Sequence, residues 1–195
     1  MPPLYFRFIN HAGPTLLLAA SSAFVETAML SIAALFIFPL LMAYAASSDL
    51  LTMRIANWLV LALAVSYLGL ALLAHVSWAD IGMSFGAAAI VLVIAFAFFA
   101  FGWIGGGDAK LVSATALWMG FSLMLPYVVY AALLGGGLTL LILAVRRYPL
   151  PATLARIKWI DRLHDTKSGV PYGIALAVAG LLVYPETPLF NHFIG

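Results

Sequence analysis

The chain has no cysteine and few charged residues. Each of these two features excludes some classes of protein. Without cysteine there is no disulfide framework, no cysteine nucleophile and no thiolate zinc site. Charged residues make up 8% of the 195 residues and hydrophobic residues 65%, which exceeds the apolar share of a soluble domain. The formal net charge of +2 is too small to indicate a nucleic-acid partner. The composition therefore predicts an integral membrane protein.

Long stretches without charge predict an all-α bundle of about six transmembrane helices, since one crossing needs roughly 20 apolar residues. The predicted spans are residues 27–48, 55–74, 81–107, two helices within 111–145, and 170–184 extended by 185–189. The stretch 111–145 is too long for one ordinary helix. If it forms two crossings joined near residues 120–126, Lys110 before this stretch and Arg146 and Arg147 after it lie at the same membrane face, as the positive-inside rule expects.

Most basic residues fall on one predicted face, the face that holds Asp49. They are Arg54, Lys110, Arg146, Arg147, Arg156, Lys158, Arg162 and Lys167, with Arg7 as the exception. An excess of lysine and arginine marks the cytoplasmic side of a membrane protein. The outer face then receives Glu26, Asp80 and Glu186.

Two aspartates, Asp49 and Asp108, lie just outside long charge-free stretches. The chain crosses the membrane after Asp49 and returns before Asp108, so a helical hairpin can bring both carboxyl groups to one face. Repulsion and desolvation would then raise the pKa of one of them. Such a pair can deprotonate a water for attack on a peptide carbonyl and protonate the leaving amine. The pattern predicts aspartic-protease chemistry at the membrane surface.

Three glycines at residues 105–107 precede Asp108 and lack the Cβ that keeps another backbone away. They predict room for a substrate strand and a weakened helix end where water can reach Asp108. Leu111 follows Lys110 where a nucleotide loop needs serine or threonine, which excludes that motif. A second triple glycine at residues 135–137 predicts close helix packing only.

Residues 105–111, Gly-Gly-Gly-Asp-Ala-Lys-Leu, resemble the GxGD motif of type IV prepilin peptidases. Ser48 and Asp49, followed by Arg-Ile-Ala-Asn-Trp at residues 54–58, resemble the first aspartate region of that family. Residues 169–173, Gly-Val-Pro-Tyr-Gly, resemble its last-helix motif. The resemblance implies that Asp49 and Asp108 are the catalytic pair. It implies supporting positions at Gly105, Gly107, Lys110, Arg54, Asn57, Pro171, Tyr172 and Gly173.

By the same resemblance, the enzyme removes the leader from prepilin or pseudopilin precursors at the cytoplasmic face of the bacterial inner membrane. It implies partners in the pilus assembly machinery and in membrane lipids, and no cofactor or metal. The form without cysteine resembles enzymes of Flp-type, tight-adherence pili, and methyl transfer is not assigned. Ala56 stands where the family commonly has proline, so we expect a less rigid start to the second helix.

The sequence divides into two segments with different interpretations. Residues 1–28 are an N-terminal extension of uncertain role, with a signal sequence or translation from Met29 as alternatives, and residues 29–195 are the prepilin peptidase-like membrane domain.

The four histidines, His11, His75, His164 and His192, show no metal-ligand spacing and indicate surface or interfacial positions.

Residues 150–167 have apolar side chains at positions 154, 157, 160 and 163 with basic residues between them. This pattern predicts an amphipathic helix whose basic side contacts anionic lipid. Asp161 and Asp165 could instead bind the basic leader of a precursor.

Other functions remain open for the two aspartates. A small proton- or ion-conducting transporter would use intramembrane carboxylates to carry ions. A structural subunit of a secretion or pilus assembly would not depend on either aspartate, and interfacial aspartates also serve as helix caps.

Overall fold

The computed structural model describes the backbone of residues 4–194 and the side chains of residues 21, 22, 25 and 28–194. Within those residues the chain is helical and contains no β-strand, so the predicted all-α membrane fold is confirmed. The helices are α1 (Leu4–Thr52), α2 (Asn57–Leu73), α3 (Trp78–Ala100), α4 (Gly106–Met119), α5 (Met124–Val145), α6 (Ala152–Ala155), α7 (Lys158–His164), α8 (Tyr172–Val183) and α9 (Pro188–Ile194), with a 3-10 turn at Tyr184–Glu186 before α9. The side chains of Arg7, His11 and Glu26 lie outside the described residues.

Six apolar helices, α1 to α5 and α8, occupy the six predicted spans, but they differ in length. Among the described residues, three segments are long and apolar enough to cross a membrane: Ala28–Thr52, Trp78–Ala100 and Met124–Val145. Helix α8 with its 3-10 turn and α9 form a pair bent by 56° that could make a fourth. Helices α2 and α4, with 17 and 14 residues, are shorter than the roughly 20 residues of a full crossing.

Helix α4 is the central helix of the bundle. It ends at Gly120, whose φ of 60° places it in the left-handed region that stops a helix. The break before α5 therefore falls inside the predicted connection at residues 120–126. The side chains of α4 from residue 113 to residue 119 are all buried. A helix that is buried on every side must be surrounded by other helices, and it does not need to reach both membrane surfaces by itself.

One face of α1 carries its buried side chains. These are Ala34, Phe38, Met42, Ala45 and Asp49, all at most 6% exposed. Their steps of three and four residues keep them on one side of a helix with 3.6 residues per turn. Because Asp49 continues this face, its carboxyl group is directed into the bundle and away from lipid.

Small residues on α8 let it approach α1 closely. A Cβ added to Gly180 would lie 3.3 Å from Cζ of Phe38, which leaves no room for a larger side chain without movement. The Phe38 ring in turn lies 4.5 Å from the Tyr184 ring, centroid to centroid. Helices α1 and α5 both pack extensively on α8, whereas α4 packs chiefly on α3. Helix α4 also contacts α2 and α8, and α2 contacts α1, so these helices form one continuous bundle.

Residues 150–167 form two short helices, α6 and α7, and the prediction of one amphipathic helix is wrong. In an α-helix, each step of three residues falls about 60° short of a full turn. Three such steps separate positions 154 and 163, so their side chains would lie on opposite sides of one helix. The structure breaks the helix at residues 156–157. Ile160 and Leu163 then line an apolar cavity with Leu50, whereas Leu154 and Ile157 remain exposed.

Candidate active site

Asp49 is held at the beginning of α8. Its Oδ2 accepts a hydrogen bond of 2.7 Å from the backbone N–H of Gly173, in the first turn of that helix, and the side chain is only 6% exposed. The N-terminus of a helix carries partial positive charge and unpaired N–H groups, which favour a negative group there. The contact therefore fixes one carboxylate oxygen of Asp49 and offsets part of the cost of burying its charge.

Asp108 lies in the first turn of α4, three residues after the N-cap Gly105. Burial and, to a smaller extent, the negative charge of Asp49 raise the pKa of Asp108 to about 7, while a hydrogen bond from the Gly105 backbone opposes the rise. The structure thus brings Asp49 and Asp108 into one electrostatic environment, from helices that are far apart in sequence.

The glycines before Asp108 admit another part of the same chain. A Cβ added to Gly107 would lie 3.3 Å from the Ile55 Cβ and 3.5 Å from the Ile55 backbone nitrogen. Ile55 belongs to the connection between α1 and α2, so Gly107 lets this connection lie against the start of α4. The expected space for a substrate strand is therefore occupied by Ile55 at this position. A Cβ on Gly105 would lie 2.9 Å from Oδ2 of Asp108.

Helices α2 and α4 are also joined by a side-chain contact near their N-termini. The Lys110 ammonium donates a hydrogen bond of 2.9 Å to Oδ1 of Asn57, the first residue of α2. Arg54 is exposed in the preceding connection, where its carbonyl accepts a hydrogen bond of 2.8 Å from the Ser48 hydroxyl. Ala56, the N-cap of α2, has a φ of −70°, which is close to the value that proline imposes. The alanine therefore keeps the backbone conformation expected of proline.

Tyr172 follows Pro171, the N-cap of α8, and packs on α5. Its hydroxyl lies 3.0 Å from that of Thr139, which itself donates to the Gly135 carbonyl, so Tyr172 is the donor of this pair. The ring lies over Gly135, where an added Cβ would be 2.9 Å from the Tyr172 Cε1. Sequence analysis missed Thr139, because a single hydroxyl in an apolar helix gives no signal.

Of the three glycines at residues 135–137, one packs against another helix and two do not. Gly135 fits the prediction of close helix packing. A Cβ added to Gly136 or Gly137 would meet no atom within 4 Å among the described residues, so the prediction is wrong for these two. Successive residues point in different directions around a helix, and only one of the three can face α8.

We expect Gly135→Ala to destabilise the protein by about 1–3 kcal/mol, because the new methyl group overlaps the Tyr172 ring. Gly136→Ala is the matched control in the same helix, and it should be neutral or slightly stabilising because alanine favours helix over glycine. Thermal unfolding of the purified variants in detergent measures the difference. Equal unfolding midpoints for the two variants would contradict the packing role of Gly135.

Basic side chains lie at the same end of the bundle as the aspartates. The Arg162 guanidinium donates to the Leu51 carbonyl at 3.2 Å, two residues after Asp49. Arg146 donates to three backbone carbonyls within residues 163–169, at distances of 2.9 to 3.1 Å. These contacts tie the segment containing α6 and α7 to α1 and α5. Asp161 and Asp165, the alternative contacts for a basic leader, are both exposed on this segment.

The two carboxyl groups lie in different surroundings. Asp49 is fixed by a hydrogen bond at a helix N-terminus, and Asp108, whose pKa is raised to about 7, retains a proton near neutral pH. Two carboxyl groups in such different environments can divide the roles of base and acid. No group of three histidine, aspartate or glutamate side chains in the described part of the chain is arranged to hold a metal ion.

A model of the type IV leader peptidase family matches residues 36–140, more than half of the chain. The chain belongs to this family. The identification made from the motifs is thereby confirmed at the level of the family, and this leader peptidase is a membrane-bound peptidase. The matched range contains Asp49 and Asp108, whereas Pro171, Tyr172 and Gly173 lie beyond it. No curated protein and no solved structure matches the chain.

Proposed function

We propose that this leader peptidase is an aspartic endopeptidase in which Asp49 and Asp108 activate water. The observation that carries the proposal is the shared environment of the two carboxyl groups. Burial and the charge of Asp49 raise the pKa of Asp108 to about 7, which is suited to proton transfer near neutral pH. A helix cap or a loop aspartate would not need a second carboxylate beside it.

The contacts support different roles for the two groups. Asp49, with its charge favoured by the Gly173 N–H, is the base that takes a proton from water as the water oxygen attacks the peptide carbonyl carbon. Asp108 is the acid that protonates the leaving nitrogen as the carbon–nitrogen bond breaks. The products are a carboxylic acid and an amine. Asp49 then carries a proton and Asp108 a negative charge, and passage of that proton from Asp49 to Asp108 restores the starting state of the pair.

We infer that the substrate is a prepilin or pseudopilin precursor of a Flp-type pilus, cut between its basic leader and its apolar helix. The basic side chains of Lys110, Arg146 and Arg162 at the aspartate end support a site that faces the cytoplasm, by the positive-inside rule. The membrane would be the bacterial inner membrane, and the cleaved product would pass to the pilus assembly machinery.

The test is cleavage by the purified chain in lipid vesicles. We expect a peptide that joins a basic leader to an apolar helix to be cut once, at the junction, with both products identified by mass spectrometry. A peptide of the same composition with its basic and apolar residues interleaved is the control and should remain intact. An uncut substrate together with a proton or ion flux that depends on the two aspartates would favour a transporter instead.

The cleavage rate should fall as the pH rises above about 7. The acid role requires protonated Asp108, and the protonated fraction decreases about tenfold per pH unit well above the pKa. Initial rates measured across this range give the profile. The matched control is Asp80→Asn, because Asp80 is bound to the Ser77 hydroxyl at the start of α3, and this variant should keep the same profile. A rate that is constant up to about pH 9 would contradict the acid role.

A further inference from the structure

A cavity of about 450 Å³, the α3–α5 groove, lies between helices α3 and α5 beside Asp108. Side chains from residues 91–98 of α3 and 124–132 of α5 form its sides, and side chains from α4 and α8, Asp108 among them, form its base. Among the described residues, α3 packs chiefly on α4 and α5 chiefly on α8, and the two helices make few contacts with each other. The space between α3 and α5 is therefore left unfilled by the bundle.

The α3–α5 groove opens towards lipid. Ile94 and Phe98 on α3 and Val128 on α5 line it, yet these side chains are 52%, 41% and 46% exposed. Helices α3 and α5 are both long and apolar enough to cross a membrane, so their exposed side chains face hydrocarbon. A chain that is embedded in the bilayer can therefore enter the groove from the side.

Two other approaches to the aspartates are occupied by the protein itself. Ile55 lies against Gly107, next to Asp108. Gly173 packs so closely on Asp49 that an added Cβ would lie 2.8 Å from its Oδ2, and the Asp49 side chain is only 6% exposed. The groove, in contrast, leads to Asp108 from the lipid side.

The groove runs from Asp108 into the membrane. Asp108 lies in the first turn of α4, and Val112, one turn further along, continues the wall. The lining on α3 extends from Val91 to Phe98, which corresponds to about 10 Å, or two helical turns. The lining on α5 belongs to the first half of that helix, away from Arg146 and the aspartate end. Asp108 is the charged residue of the lining, and almost all of the remaining wall is apolar.

We propose that the α3–α5 groove binds the first two turns of the substrate's apolar helix, on the C-terminal side of the bond that is cut. This inference rests on the proposed peptidase function. A basic leader followed by an apolar helix matches the groove, because the bond between them then lies at Asp108 and the helix beyond it contacts apolar side chains. Helices associate in lipid through close packing, which the small side chains of Ala95, Ala131 and Ala132 permit.

Disulfide crosslinking tests where the substrate helix binds, and the chain has no cysteine of its own to react. Val128→Cys places a thiol in the groove. Val129→Cys is the matched control, because Val129 is 47% exposed on the same helix but does not line the groove. The substrate is a peptide in lipid vesicles with a single cysteine, placed in turn at each position in the first two turns of its apolar helix. With copper phenanthroline as oxidant, we expect about tenfold more crosslinked product with Val128→Cys.

Val128→Trp fills the groove and gives a kinetic test. We expect KM to rise about tenfold with kcat unchanged, because the contact is made equally before and during the reaction. Val129→Trp adds the same ring outside the groove and should keep the parent KM. Both variants should unfold within a few degrees of the parent protein, since both side chains are exposed.

Equal crosslinking at the two positions would overturn the proposal, and so would a parent KM in Val128→Trp, because the groove would then hold lipid and no substrate. Crosslinking does not depend on cleavage. A strong crosslink to Val128→Cys without any cleavage by the parent protein would support the groove as a helix-binding site and would refute the peptidase function.

Discussion

Asp49→Asn and Asp108→Asn are each expected to reduce the cleavage rate by about a thousandfold. Asparagine keeps the size and shape of aspartate, but it can neither take a proton from water nor give one to the leaving amine at neutral pH. In Asp49→Asn the amide oxygen can still accept the hydrogen bond from Gly173. In Asp108→Asn the charge repulsion with Asp49 is removed. Initial rates on a prepilin-type peptide in lipid vesicles measure both effects.

Two measurements separate a loss of chemistry from a loss of structure. Both variants should insert into the membrane and should unfold within a few degrees of the parent protein. Asp161→Asn, a variant at an exposed carboxylate on α7, is the matched control and should retain the parent rate. Activity near the parent value in either Asp49→Asn or Asp108→Asn would refute the assignment of that aspartate as catalytic.

Gly173→Ala should reduce the cleavage rate by about a hundredfold, because it displaces Asp49. The new Cβ would lie 2.8 Å from Oδ2 of Asp49 and 2.9 Å from its Cβ. The carboxyl group could rotate away, but the Asp49 Cβ is fixed to the backbone of α1, so helices α1 and α8 must also separate. A displacement of about 1 Å at a catalytic group is enough for an effect of this size.

Gly180→Ala is the control on the same helix. Its new methyl group would press on the Phe38 ring and the Thr115 methyl group, each 3.3 Å away, and would not touch Asp49. We expect a loss of stability with little change in the rate per folded molecule. Measured together, unfolding midpoints and cleavage rates distinguish the two glycines. Equal activity of the two variants would show that the position of Asp49 does not depend on Gly173.

Charge-free stretches and the placement of basic residues were sufficient to predict an all-α membrane fold with about six apolar helices. The break between α4 and α5 falls within the predicted connection because Gly120 marks it in the sequence. The same reasoning failed at residues 150–167, where apolar residues at three-residue steps do not form one face of an α-helix. It also made the second and third spans, residues 55–74 and 81–107, extend beyond the ends of α2 and α3 at Leu73 and Ala100.

Contacts between distant helices could not be predicted from a single sequence. Nothing in the sequence shows that the Gly173 N–H binds Asp49, or that Tyr172 fits against Gly135 but not Gly136. Tyr127 is one tyrosine in an apolar helix, and only the three-dimensional packing shows that its side chain is fully buried. The family resemblance indicated Gly173 and Tyr172 as supporting positions, but it did not give their contacts.

Asp49 and Asp108 stand on helices that have different main packing partners. Asp49 is on α1, which packs extensively on α8, whereas Asp108 begins α4, which packs chiefly on α3 and also contacts α2 and α8. The separation of the two carboxyl groups therefore depends on how α4 packs against α2 and α8, as well as on the hydrogen bond from Gly173 to Asp49.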